Sequence, residues 1–222
     1  MYCPNQNNLA ARCSTWIAAL LWFFLGHVGY AQVRQAPPVN TPIICWQEGL
    51  KLRWSDFQAS HNLLVSASVG AYTSATIRAV IDENEHGRPT FLVECFFTKK
   101  ESWVRDSCAE HNQALLAHEQ LHFDIAELFA RKIRQKLTQC IRTGCDIRGA
   151  KLSNEINALL KKREEFDAAF DQDAQFESEA GAFDVEMRAA SPLLHKWQAI
   201  VQRELIALAP YKSSATTCGE KL

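Results

Sequence analysis

Residues 115–133 read LLAHEQLHFDIAELFARKI. Two histidines four apart, with a glutamate directly after the first, form the pattern H-E-x-x-H. On an α-helix, positions i and i+4 project from one face a turn apart. His118 and His122 can therefore aim imidazole nitrogens at one point, as Zn–N bonds of about 2.0–2.1 Å require. Glu119 is turned about 100° from His118, so its carboxylate can flank a metal without binding it. There it can take a proton from an activated water and pass it to a leaving amine. The chemistry implied is metal-assisted hydrolysis, with Zn2+ as the cofactor, His118 and His122 as ligands and Glu119 as general base.

The plain alternative is a pair of core histidines. With 7 His and 16 Glu in 222 residues, chance supplies about 0.016 such motifs per chain, a real false-positive risk. Placement adds weight to the metal. Both histidines share a stripe with Leu115, Ile125, Phe129 and Ile133. Two neutral imidazoles in a core each need a polar partner, and one shared ion serves both. His111, one heptad earlier, is expected outside the metal site, at the helix start. Asp124 and Glu127 are either partners for an imidazole N–H or ordinary exposed helix carboxylates, the second being the simpler expectation. Arg131 and Arg134 are spaced to pair with them.

The elements that must position this motif fall in a definite order. IICWQEGLKLRWSDFQAS offers short strand-like pieces around Trp46 and Trp54. Residues 63–81 are rich in Val, Ala, Ser, Thr and Tyr with partial alternation, which suits strands. DENEHGRP is a turn, and FLVECFFTKKESW reads as a return strand buried on both faces. From about Cys108 the period changes to three-to-four and runs toward Gly144, a long amphipathic helix. A second helix is expected from about Leu152 to Glu179, with Phe166 and Phe170 on its apolar side and many charges on the other. A last one spans roughly Leu193 to Leu208, stopped by Pro210. Sheet first and helices after predicts an α+β fold: a small N-terminal antiparallel sheet followed by a zincin-like set of long helices.

Composition bounds the rest. The apolar run WIAALLWFFLGHVGYA, followed by Gly29 and Ala31 before Gln32, reads as a secretory signal over 1–31. A Pro-rich linker over 32–42 then leads into one domain over 43–210, with a tail at 211–222. Residues 1–31 carry one Arg and no acid, so the mature charge is 23 − 25 = −2. With no basic block, the chain lacks the electrostatic footprint of nucleic-acid binding, and no stable membrane span remains after signal removal. Six cysteines persist: Cys45, Cys95, Cys108, Cys140, Cys145 and Cys218. An even count in an exported chain favours disulfides, and Cys140 with Cys145 is the pair expected first. No C-x-x-C exists to suggest a cysteine zinc site.

LRWSDF (52–57), ESWV (101–104) and HEQLHFDIAELFARKIR (118–134) resemble a family of proposed secreted bacterial zinc-dependent proteases, catalogued as a domain of unknown function. The resemblance runs from about Cys45 to Leu208 and implies an exported metalloprotease-like domain. The family tends to carry Y-D-x-E-T-x-H-G before its last helix; the counterpart here is FDVEMRAA, residues 183–190. Phe183, Asp184 and Glu186 keep or nearly keep that pattern, whereas Met187, Ala189 and Ala190 depart from it. The spacing is also similar to the D-x-x-Y-G element of aspzincin metallopeptidases, whose Asp is the third zinc ligand. On that resemblance Glu186 completes the site, with Asp184 the alternative and His195 in reserve. Ala189 stands where the family carries a histidine, which is either a ligand or an oxyanion stabiliser.

The sequence thus points to an exported zinc metallohydrolase of the periplasm or the medium, acting on a peptide or protein. The competing expectation is a zinc-binding periplasmic interaction module, weak or inactive in turnover.

Overall fold

In the computed structural model the described residues are 42–60, 70–105, 113–179, 192–213 and 218, with side chains described for all of these but 175–179. Among these residues, five strands precede three helices. They are β1 (Ile43–Cys45), β2 (Ala71–Tyr72), β3 (Ala75–Glu83), β4 (Pro89–Thr98) and β5 (Trp103–Val104), then α1 (Gln113–Thr143), α2 (Ala150–Glu179) and α3 (Pro192–Ala207). The fold is α+β, as the order of patterns predicts. The expected signal, all of the linker but Pro42, His111, Cys108, Asp184, Glu186 and Ala189 lie outside the described residues.

β1, β4 and β3 form one antiparallel sheet in that order, and β2 pairs with β5 in a separate two-stranded ribbon. The β3–β4 register sets Ile77 opposite Cys95 and Val80 opposite Leu92. Period-2 alternation then puts Val93, Cys95 and Phe97 on the face toward α1. The expectation that this strand is buried on both faces holds from Val93 to Phe97, where even Glu94 on the outer face is only 4% exposed and is paired with Arg78 of β3. It fails at Leu92, which is 38% exposed. The hairpin between them is tied by Asn84, whose Oδ1 accepts the N–H groups of His86 and Arg88 at 3.0 and 2.9 Å.

α1 is the axis of the domain. On one side Phe123, Ala126, Ala130, Ile133 and Leu137 pack against the sheet through Phe97 and Val93. On another, Leu121, Ile125, Leu128 and Phe129 pack against Phe170 of α2 and Trp197, Val201 and Leu205 of α3. A helix covered on two sides must accommodate its charges inside, and α1 does. Glu127, expected as an exposed carboxylate, is wholly buried. It accepts hydrogen bonds from Arg131 Nε and Arg134 Nη1, both at 2.9 Å. The two guanidiniums also donate to the carbonyls of Leu205 and Val93. A buried carboxylate persists where paired donors satisfy its lone pairs. Asp124 likewise leaves the histidines alone; it accepts from Trp46 Nε1 at 2.8 Å and Gln120 Nε2 at 3.1 Å.

The end of α1 follows from its last residues. Gly144 adopts φ +68°; its N–H bonds the Ile141 carbonyl, and the Cys145 N–H bonds the Cys140 carbonyl at 3.0 Å. This is a Schellman stop, in which glycine takes the left-handed position at no steric cost. The disulfide Cys140–Cys145, expected from sequence, spans the same two positions that are ordinarily joined by an apolar contact. A second disulfide, Cys45–Cys218, ties β1 to the C-terminal tail across 173 positions. Cys95 is buried and unpaired. None of the helices among the described residues is long and apolar enough to cross a membrane.

Candidate metal centre

The short turn after α1 sends α2 back along it, so the two helices run antiparallel: Lys136 pairs with Glu155 near the turn, and His118 with Asp171 far from it. One face of α2 presents Asp167, Phe170 and Asp171, at i, i+3 and i+4, to the His118 and His122 face of α1. Phe170 is 1% exposed and fixes the approach. Its ring stacks on His118 with centroids 4.4 Å apart and meets His122 edge-on at 5.1 Å. Behind it Trp197 of α3 lies 5.7 Å away and is held by its indole N–H donating to Asp173 at 2.9 Å.

Three potential ligand atoms converge. His118 Nε2 and His122 Nε2 are 3.1 Å apart, and Asp171 Oδ1 lies 3.1 Å from the first and 3.0 Å from the second. They form the one His/Cys/Asp/Glu group with metal-ligating potential among the described residues. A tetrahedral ion with bonds of about 2.0 Å separates its ligands by about 3.3 Å, so the triangle is close to the size such an ion needs. The donor set, two imidazoles and a carboxylate, is one that divalent transition metals accept, zinc among them. The residues fit such a cation.

Electrostatics agree with a site built for positive charge. Burial works against a charged His122, but hydrogen bonds to Asp167 and Asp171, with Glu119 nearby, outweigh it and lift the metal-free imidazole to about 10. Burial likewise pushes the Asp171 carboxyl upward, yet the two imidazoles hold it well below the usual carboxylate range.

Glu119 is 3% exposed. Thr73, in the connection between β2 and β3, donates its hydroxyl to Glu119 Oε2 at 2.6 Å. The β2–β3 connection thus fixes the glutamate while α2 fixes the histidines, and α1 holds both sets on adjacent faces.

The structure brings together His118 and His122, as the motif predicts, and adds Asp171 where sequence reasoning looked elsewhere. His195 is exposed on α3 and is not part of the converging group. Asp167, Asp171 and Thr73 were missed because α2 reads as a charged outer surface and Thr73 as an ordinary strand-end residue. A usable signal was present. In a helical hairpin turning near Gly144, a residue 26 places before the turn, such as His118, faces one about 27 places after it. Two aspartates four apart then stand opposite two histidines four apart.

Residues 98–178 match the family model described as "Bacterial protein of unknown function (DUF922)". The matched span runs from the end of β4 through α1 and nearly all of α2. It therefore contains His118, Glu119, His122, Asp167 and Asp171, but not Asp184, Glu186 or His195. The description carries no activity. Comparisons with curated proteins and with solved structures gave no match.

Proposed function

We propose that this chain is an exported zinc-dependent hydrolase that cleaves peptide bonds, with His118, His122 and Asp171 as protein ligands and Glu119 as general base. One observation carries the reading: three donor atoms at mutual distances of 3.0–3.1 Å beside a buried glutamate. Zinc bound there would supply Lewis acidity toward a water and the substrate carbonyl. Glu119 takes a proton from the attacking water as its oxygen bonds to the carbonyl carbon. It returns that proton to the departing amine as the C–N bond breaks. With Oε2 engaged by Thr73, Oε1 is the oxygen left to carry the proton. Asp171, whose side chain is 57% exposed, puts the ligand triangle at the solvent boundary, where substrate has access. The two disulfides support export to an oxidising compartment, the periplasm or the medium. Glu186, expected as a ligand from resemblance, would make a fourth protein donor if it also reached the ion.

A second reading, a zinc-binding module without turnover, is favoured by Ala189 standing where the resembling family has a histidine. The test is cleavage of an unfolded protein by wild type and by Glu119→Gln, each with its zinc content measured. The expected result is one zinc per chain in both and a loss on the order of 10²–10⁴ in rate for the variant. Equal zinc and equal, negligible cleavage would favour the module.

A further inference from the structure

We propose that Asp167 is a positioning residue of this centre: by accepting the His122 Nδ1–H, it fixes the tautomer that turns the Nε2 lone pair toward the ligand triangle. The inference rests on the reading of His118, His122 and Asp171 as metal ligands. It does not depend on what reaction the metal performs.

The geometry is specific. Asp167 Oδ1 lies 3.0 Å from His122 Nδ1, while His122 Nε2 faces Asp171 and His118. An imidazole has one N–H in its neutral form, so a carboxylate at Nδ1 holds the proton there and leaves Nε2 free to ligate. Asp167 is itself constrained. Its Oδ2 is 2.7 Å from Arg163 Nε, one turn earlier on α2, and its side chain is 16% exposed. Asp167 and Asp171 are thus two carboxylates of one helix face with different duties. The half-exposed one is a ligand and the shielded one orients a ligand. Carboxylate–histidine–metal chains of this kind also raise the basicity of the ligating nitrogen. An Asp167 serving only the Arg163 ion pair would have no need to face the imidazole.

The test uses the full mature chain and zinc alone, with affinity measured by competition against a chromophoric chelator. Asp167→Ala is expected to weaken zinc binding about 10–100-fold. Asp167→Asn, whose amide oxygen still accepts the Nδ1–H, is expected to recover most of that loss. In zinc-loaded wild type, ¹⁵N imidazole spectra should show His122 protonated at Nδ1 and slow to exchange, and in Asp167→Ala that proton should exchange rapidly. Thermal melts in chelator report folding separately, and if Asp167→Ala fails to fold, Asp167→Asn with the imidazole spectrum carries the test. Wild-type affinity in a folded Asp167→Ala, an Asn variant as weak as the Ala variant, or a His122 protonated at Nε2 would each overturn the proposal. Wild type that binds no zinc, or binds it equally after His122→Ala, would overturn the metal reading as well.

Discussion

The Cys45–Cys218 bridge offers a quantitative test of how the domain is held. Cys45 ends β1, and the next residue, Trp46, donates to Asp124 of α1 and lies under Arg131 at 5.1 Å. The bridge therefore pins the C-terminal tail to the strand whose neighbour grips the motif helix. Closing a loop in the unfolded chain removes entropy that grows with the logarithm of loop length. For the 173-residue separation the chain-entropy relation gives about 5 kcal/mol at 25 °C, and for the five-residue separation of Cys140–Cys145 about 2 kcal/mol. Against a typical domain stability of about 5–15 kcal/mol, loss of both would leave the chain close to unfolding in a reducing compartment. The assay is urea denaturation in chelator of the oxidised wild type and of the double serine variants Cys45→Ser/Cys218→Ser and Cys140→Ser/Cys145→Ser. The first pair should lose about 5 kcal/mol and show a steeper denaturant slope, because its unfolded chain expands. The second should lose about 2 kcal/mol with little change in slope, since its loop is short and the Schellman bonds remain. A smaller loss from the long bridge than from the short one would refute the reasoning.

Three further outcomes follow from other contacts. Glu127→Ala strands two buried guanidiniums that now share its carboxylate and should cost about 3–5 kcal/mol in chemical denaturation; a loss below about 1 kcal/mol would mean that the ion cluster is not sealed from water. Thr73→Val removes the hydroxyl that holds Glu119 Oε2 and should lower peptide cleavage while leaving zinc affinity unchanged, as read by turnover and chelator competition in parallel. Burial raises the Cys95 thiol well above its ordinary range, so in the native state it keeps its proton through pH 8. In the folded protein its alkylation by iodoacetamide should therefore be negligible at both pH 7 and pH 8, and should appear only as urea unfolds the chain; ready alkylation of the folded protein at pH 8 would contradict this.

What the sequence disclosed and what it hid divide along one physical line. His118, Glu119 and His122 were legible because one helix carries them, and helical spacing alone dictates that they share neighbouring faces. α1, α2 and α3 were legible for the same reason, each announced by three-to-four periodicity, with Gly144 closing α1 and Pro210 following α3. Asp171 and Asp167 were not. Their position depends on which face α2 turns to α1, and Phe166 and Phe170, one turn apart on that face, decide it only once packing is known. Glu127 was misjudged because a carboxylate on a helix is ordinarily solvated. The coverage of α1 by the sheet on one side and α3 on another is a property of the assembled layers. Thr73 reached Glu119 across 46 positions, a distance at which local pattern says nothing.

The central claim is that a cation joins two turns of α1 to one carboxylate of α2. X-ray absorption at the zinc edge, on protein loaded with one equivalent, tests it most directly. The account predicts a first shell of nitrogen and oxygen at about 2.0–2.1 Å with the outer scattering of two imidazoles, reduced to one in His118→Ala. A sulfur-containing shell, or a spectrum without imidazole scattering, would contradict it.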